Sequence, residues 1–329
     1  MCPPSRVEGQ SSLVDDLLPP LLERQPRALA RAVSLVESGG ELQRRLIGEL
    51  YGRCGQARLL GVTGPPGAGK STLVDRLARH VRERGETVGI LAVDPTSPFS
   101  GGALLGDRVR MTSLYTDPGV FIRSMATRGA MGGLARATRD AIDVLDAAGF
   151  DWVFVETVGV GQDEIDVVRT VDTVAVVSQP GLGDEIQAIK AGIMEIADVF
   201  VVNKADRAGA EATERDLRSM LQMGNQERKP QIVRTVATRN EGVDDLLAAI
   251  EEHRRYLVES GLLERRRFSH LRLRVETILK ERIVRTVDEV MGMERQLEQA
   301  YAEREDPYLL ADRLFAAATV ARAEREEAR

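Results

Sequence analysis

The segment Gly64-Pro65-Pro66-Gly67-Ala68-Gly69-Lys70-Ser71 has the residue types and spacing of a loop that wraps phosphate groups. Its glycines let backbone N–H groups close around phosphate oxygens. The helix that follows adds the positive end of its dipole. An apolar run, Leu59-Leu60-Gly61-Val62, precedes the loop, and a helical pattern beginning at Thr72-Leu73-Val74 follows it. The nucleotide-phosphate contacts therefore fall to Gly64, Pro66, Gly67, Ala68, Gly69, Lys70, Ser71 and Thr72. Lys70 reaches the β- and γ-phosphates, and Ser71 ligates Mg²⁺.

A second constellation selects the base. Asn203-Lys204-Ala205-Asp206 follows the apolar run Val199-Phe200-Val201-Val202. The Asp206 carboxylate can accept from guanine N1–H and the exocyclic amine. Asn203 reaches the other edge, and the Lys204 stem lies over the face. Adenine lacks that amine and leaves Asp206 poorly paired, which is costly for a buried group. GTP and GDP are the nucleotides this predicts. Farther on, Ala237 in Val236-Ala237-Thr238 offers an N–H to the guanine carbonyl. Many GTPases have serine before that alanine, so Val236 is a departure.

Acids complete the set. Asp94 ends an apolar run, Asp107 sits in Gly106-Asp107-Arg108, and Glu156 ends Trp152-Val153-Phe154-Val155. In GTPases the last spot usually reads Asp-x-x-Gly, with the acid on a metal-bound water and the glycine N–H on the γ-phosphate. Here Glu156 and Gly159 take those places. With Ser71, these three acids form the candidate Mg²⁺ set; apart, they would be ordinary caps or salt-bridge partners. The residue after Gly159 is Val160, where a Ras-like enzyme has a water-orienting glutamine, and Gln162 is displaced. Slow intrinsic hydrolysis, accelerated by a partner, is the expectation. Three polar or glycine-rich segments, 98–110, 128–133 and 181–190, could switch with the nucleotide.

These residues need a scaffold. Runs at 57–62, 88–93, 120–122, 152–155, 173–177, 199–202 and 231–233 read as strands that alternate with helical patterns. Near-continuous apolar strands of this kind form an α/β fold, a mostly parallel sheet covered by helices on both faces. Ligands of such sheets bind at the carboxyl ends of strands, where the motifs lie. Residues 1 to about 10 read as disordered, and an all-α prefix follows. Its Leu13, Leu17 and Leu18 lead into Pro19-Pro20, a helix ends at Gly39-Gly40, and another runs from about 41 to 51. Past about residue 251, Leu271, Val275, Ile278, Leu279 and Ile283 recur on one face of a long, charged helix, broken at Asp306-Pro307. That face either packs on its own core or joins two chains. The division expected is 1–56 as helical extension, 57–252 as nucleotide domain and 253–329 as helical dimerisation arm.

Composition narrows the classes. The chain has 329 residues, 43% hydrophobic, enough for one large core with appendages. A net charge of −6 argues against bulk nucleic-acid binding. Two cysteines, Cys2 and Cys54, and three histidines argue against a disulfide framework or a metal store. No apolar run reaches membrane-span length. Without the features of a signal or transit peptide at the N-terminus, a cytoplasmic location is expected.

Together, residues 65–71, Val93-Asp94-Pro95-Thr96-Ser97, Gly106-Asp107-Arg108, Glu156-Thr157-Val158-Gly159-Val160-Gly161-Gln162, residues 183–192 and Asn203-Lys204-Ala205-Asp206 resemble the methylmalonyl-CoA mutase-associated GTPases. These are the MeaB/ArgK type, in the metallochaperone-like branch of P-loop GTPases. The resemblance runs by motif from about Leu42 to Ile250. It implies a homodimer joined through C-terminal helices. It also implies a GTPase chaperone that gates adenosylcobalamin loading into an acyl-CoA mutase, protects that mutase, and is stimulated by it. It places Asp94, Asp107 and Glu156 at Mg²⁺ and switch positions and Lys190 in a third switch loop. Alternatives are a nickel-insertion GTPase, a kinase of a transport protein, and a non-hydrolysing scaffold.

Overall fold

The computed structural model describes residues 6–94, 114–126, 133–157, 159, 169–181, 196–223 and 228–327. The chain divides into two compact units, Met1–Glu264 and Arg265–Arg329.

Unit one is built on seven strands: β1 (Arg58–Thr63), β2 (Val88–Asp94), β3 (Val120–Ala126), β4 (Trp152–Thr157), β5 (Thr173–Ser178), β6 (Val199–Asn203) and β7 (Gln231–Thr235). Their order is β3-β2-β4-β1-β5-β6-β7, and every pairing is parallel. Each run read as a strand is one, extended by a residue or more at its carboxyl end. β1, β4, β5 and β6 are buried on both faces almost throughout, which is why they read as continuous rather than alternating apolar runs.

The pleat sends alternate residues into two cores. Leu59, Val93, Val153, Val155, Val174, Val176, Phe200 and Val202 face one side. There they meet α1 (Arg6–Leu22), α2 (Pro26–Ser38), α3 (Glu41–Leu50), α5 (Gly133–Ala147) and α6 (Ala210–Met223). Leu60, Val62, Ile90, Trp152, Phe154, Val177 and Val201 face the other, under α4 (Lys70–Glu83) and α7 (Val243–Glu259). The helical prefix is thus continuous with the core of the sheet.

Two expectations about helix ends change. Among the described residues α1 starts at Arg6, inside the stretch read as disordered, and it runs through Pro19 and Pro20 to Leu22. Once Val14, Leu17 and Leu21 are anchored in the core, lengthening the helix backwards costs little. Pro19 and Pro20 each remove a ladder donor near the helix end, and the complete burial of Leu21 beyond them offsets that loss. The C-terminal pattern is also interrupted more often than expected. α7 stops at Glu259, and α8 (Leu262–Met291), α9 (Met293–Glu303) and α10 (Pro307–Glu327) follow. The breaks fall at Gly261 and Gly292, with φ of 69° and 66°, left-handed conformations that glycine adopts without a Cβ clash.

In the second unit, Val287, Ala300, Leu310, Leu314 and Ala318 form a small core of their own. Phe268, Leu271, Leu273, Val275, Leu279 and Val284 are exposed. Among the described residues, no helix is long and apolar enough to cross a membrane.

Between α4 and β3, Arg82 Nε donates to both oxygens of Asp117 at 3.0 Å, and the Gly119 N–H adds a bond at 2.8 Å. The Arg82 hydrogen bond holds Asp117 below its ordinary value of 3.8, with burial opposing. A depressed carboxylate pKa stabilises the fold above the unfolded value, and that stability is lost as pH falls through the folded value. Urea midpoints should therefore drop more steeply from about pH 6 to about pH 3 in the wild type than in Arg82→Met. Parallel acid limbs would show that this pair contributes nothing.

Candidate nucleotide site

The parallel register brings the motifs to one edge. Val62 lies beside Glu156, Ala92 beside Glu156, Val93 beside Thr157 and Asn203 beside Thr235. Asp94 ends β2, next to Ala126 of β3. The loop between β1 and α4 curls over these ends.

That loop can close only with glycine. A Cβ on Gly64, at φ 148°, would stand 2.1 Å from the Val177 carbonyl oxygen of β5. One on Gly69, at φ 93°, would stand 2.4 Å from Asn203 Nδ2. The loop backbone is therefore pressed against the end of β5 and against Asn203 at the end of β6. Lys70 is buried, and its Nζ donates to the carbonyls of Gly64 at 2.6 Å and Pro65 at 3.0 Å. Its charge is held in the middle of the loop, where phosphate charge would gather.

Ser71 and Glu156 meet, both buried, with Ser71 Oγ donating to Glu156 Oε1 at 2.6 Å. A hydroxyl beside a carboxylate is a hard oxygen set, the chemistry that Mg²⁺ takes. Glutamate spans this gap from the end of β4 by the length of one more methylene than aspartate. Next to it, Thr157 Oγ1 donates to Thr63 Oγ1 at 2.9 Å, and Thr63 Oγ1 donates to the Gly159 carbonyl at 3.0 Å. Two buried hydroxyls thus hold the glycine expected to sense the γ-phosphate. Sequence reading met Thr157 only as part of a motif and passed over Thr63, since a threonine in a strand looks like ordinary β-propensity.

On the base side, Asn203 is 2% exposed. Its Nδ2 donates to the Ala68 carbonyl at 2.8 Å, and its Oδ1 accepts from Thr235 Oγ1 at 3.0 Å and the Ala237 N–H at 3.2 Å. Ala237, expected to offer its N–H to guanine, directs it to Asn203 and supports that side chain. Arg76 Nε donates to the Ala237 carbonyl at 3.1 Å, tying the same loop to α4. Lys204 has φ 57°. Its Nζ donates to Gly67 O at 2.6 Å and Gln179 Oε1 at 2.5 Å. Burial, with Arg207 nearby, lowers its pKa from the usual 10.5. Asp206 is exposed and pairs with Arg239 at 2.7 Å. Neither Gln179 nor Arg239 carries a motif signal; only the fold brings them here.

The phosphate loop, Glu156, Gly159, Asn203, Lys204 and Ala237 are therefore joined by direct bonds or close approach. Asp107, Lys190 and Gln162 lie outside the described residues, as does most of each of the three switch segments.

Comparison with known proteins agrees with this geometry. The model of the family described as methylmalonyl Co-A mutase-associated GTPase MeaB matches residues 29–292. A Pyrococcus abyssi protein carrying a GTPase name is 49% identical over 92% of this chain and 96% of its own. The mouse protein named methylmalonic aciduria type A homolog, mitochondrial, is 33% identical over 84% of this chain and 72% of its own. A crystal structure named as an LAO/AO transport system kinase superposes with a TM-score of 0.72 at 27% identity. It covers 92% of this chain and 96% of that one.

Lys70→Ala should lower GTP turnover by about a hundredfold or more, since a fixed cation at the phosphates is lost. Asp206→Asn should weaken GTP by at least about tenfold and shift preference to xanthine nucleotides. Phosphate release and competition binding measure both, and an unchanged base preference would place the base pocket elsewhere. A P-loop fold, a glycine cradle bonded to Asn203 and Lys204, and a family match across most of the sequence make this chain a member of the MeaB family of P-loop GTPases.

Proposed function

We propose that the chain is a cytoplasmic GTPase chaperone of an adenosylcobalamin-dependent acyl-CoA mutase, methylmalonyl-CoA mutase or a close relative. In this role it gates cofactor loading and protects the mutase from inactivation. The observation that carries this is the match of residues 29–292 to a mutase-associated GTPase family. The name of the mouse relative, which refers to methylmalonic aciduria, points the same way.

The site supports slow, partner-stimulated hydrolysis. Lys70 and the loop N–H groups bind and orient the β- and γ-phosphates. Ser71 and Glu156, with Asp94 and Asp107, would hold Mg²⁺, which neutralises phosphate charge when bound. The Thr63–Thr157 hydroxyl pair holds Gly159 in place. The side chain of Val160, next in sequence, has no polar atom to orient water, so a partner must complete that function. Lys190 is the candidate for transmitting it.

We further propose that residues 253–329 form a dimerisation arm. Leu271, Val275, Leu279 and Ile283 are each at least 40% exposed and repeat at helical spacing along α8. Such a stripe calls for cover by an apolar surface, and a second copy would supply the same stripe. A second reading comes from the solved relative named as a transport system kinase, in which the γ-phosphate would end on protein.

Phosphate release from γ-labelled GTP, alone and with an adenosylcobalamin-dependent acyl-CoA mutase, separates these readings. Slow release that rises sharply with the mutase is expected. Release unmoved by any mutase would sink the chaperone role, and label retained on protein would favour the kinase.

A further inference from the structure

Gln179 directly follows β5 and belongs to none of the nucleotide motifs, yet it bridges two of them. Its position is fixed from below. Ser178 Oγ donates to the Val201 carbonyl at 3.2 Å, locking the end of β5 to β6. Two residues back, the Val177 carbonyl lies under Gly64, so close that a Cβ there would collide with it. From this root the Gln179 carboxamide extends over the phosphate loop. A Cβ on Gly67 would sit 3.9 Å from Gln179 Nε2.

The carboxamide oxygen accepts from Lys204 Nζ at 2.5 Å, and the same nitrogen donates to Gly67 O at 2.6 Å. Lys204 thus has both ends fixed. Its backbone, just past β6, is in the left-handed region at φ 57°, which a side chain of this kind rarely adopts. Its ammonium group is clamped between two oxygens. The four-carbon stem between these points has little freedom left, and the stem is the part that would lie over a guanine ring. Hydrogen bonds to a charged donor are the stronger kind, and this one joins the exit of β5 to the base loop after β6.

We propose that Gln179 is a positioning residue of the nucleotide site: by clamping Lys204 against the phosphate loop, it sets how tightly the chain holds guanine nucleotides. The proposal rests on the reading of Asn203, Lys204 and Asp206 as the base-contacting group. It adds a residue to that group which acts through Lys204 without a motif of its own.

Dissociation of a fluorescent N-methylanthraniloyl GDP from the full-length protein tests it. Gln179→Met keeps length and volume but removes the acceptor, and should raise Kd about five- to tenfold. Gln179→Asn keeps the amide but withdraws it by one methylene, and should shift Kd in the same direction, so the test does not depend on one variant folding. In a Lys204→Met background, Gln179→Met should add nothing further, because the clamp has lost its target. A merely structural role would cost the same in both backgrounds. Wild-type affinity in Gln179→Met, or an undiminished loss in the double variant, overturns the proposal and leaves the guanine site standing. A wild type that holds the ADP analogue as tightly as the GDP analogue overturns both.

Discussion

The buried carboxamide of Asn203 is the joint on which the nucleotide site depends. Its donor side is bonded to the Ala68 carbonyl of the phosphate loop and its acceptor side to Thr235 at the end of β7 and Ala237 just past it. A group that is 2% exposed cannot leave such bonds unmade without cost. The phosphate loop and the base loop therefore cannot move independently. Gly69 has no side chain because Asn203 occupies the space where one would be. The Lys204–Gly67 and Arg76–Ala237 bonds reinforce the same joint from either side.

A second linkage runs along the strands on the other side of β1. Glu156 and Thr157 end β4 in register with β1 and β2. One carboxylate reaches Ser71 at the start of α4, and one hydroxyl reaches Thr63 and, through it, Gly159. The serine of the candidate Mg²⁺ set and the glycine expected at the γ-phosphate are thus held by adjacent residues of a single strand. Substituting glutamate for the more usual aspartate alters reach and leaves the chemistry alike. An extra methylene lets the carboxylate touch Ser71 from a strand end one layer away. Backbone held this firmly suits preorganised electrostatics, which cost no rearrangement during reaction.

The fold was legible because it follows from burial. Strands covered on both faces must be apolar throughout, so β1, β4, β5 and β6 stand out as short runs of valine, leucine and phenylalanine. Helix ends were less legible. Pro19 and Pro20 look like a stop, yet Leu21 buries completely beyond them, and a local rule yielded to tertiary packing. Gly261 and Gly292 break the C-terminal pattern where periodicity alone continues through.

The amino-acid sequence by itself displayed the candidate chemistry: a loop with the phosphate-binding pattern, an Asn-Lys-x-Asp tetrad of the kind that selects guanine, acids at strand ends, and no polar residue after Gly159. These depend on residue type and near-neighbour spacing, which a linear chain displays directly. Only the tertiary structure decided what holds those groups in place. Thr63, Gln179, Arg239 and Thr235 lie between 25 and 96 residues from the groups they support: 25 residues separate Gln179 from Lys204, 32 separate Thr235 from Asn203, and 96 separate Thr63 from Gly159. Their residue types are common in strands and turns. A hydrogen bond across such a separation exists only once the parallel register has brought strand ends together, and register is a property of the whole sheet.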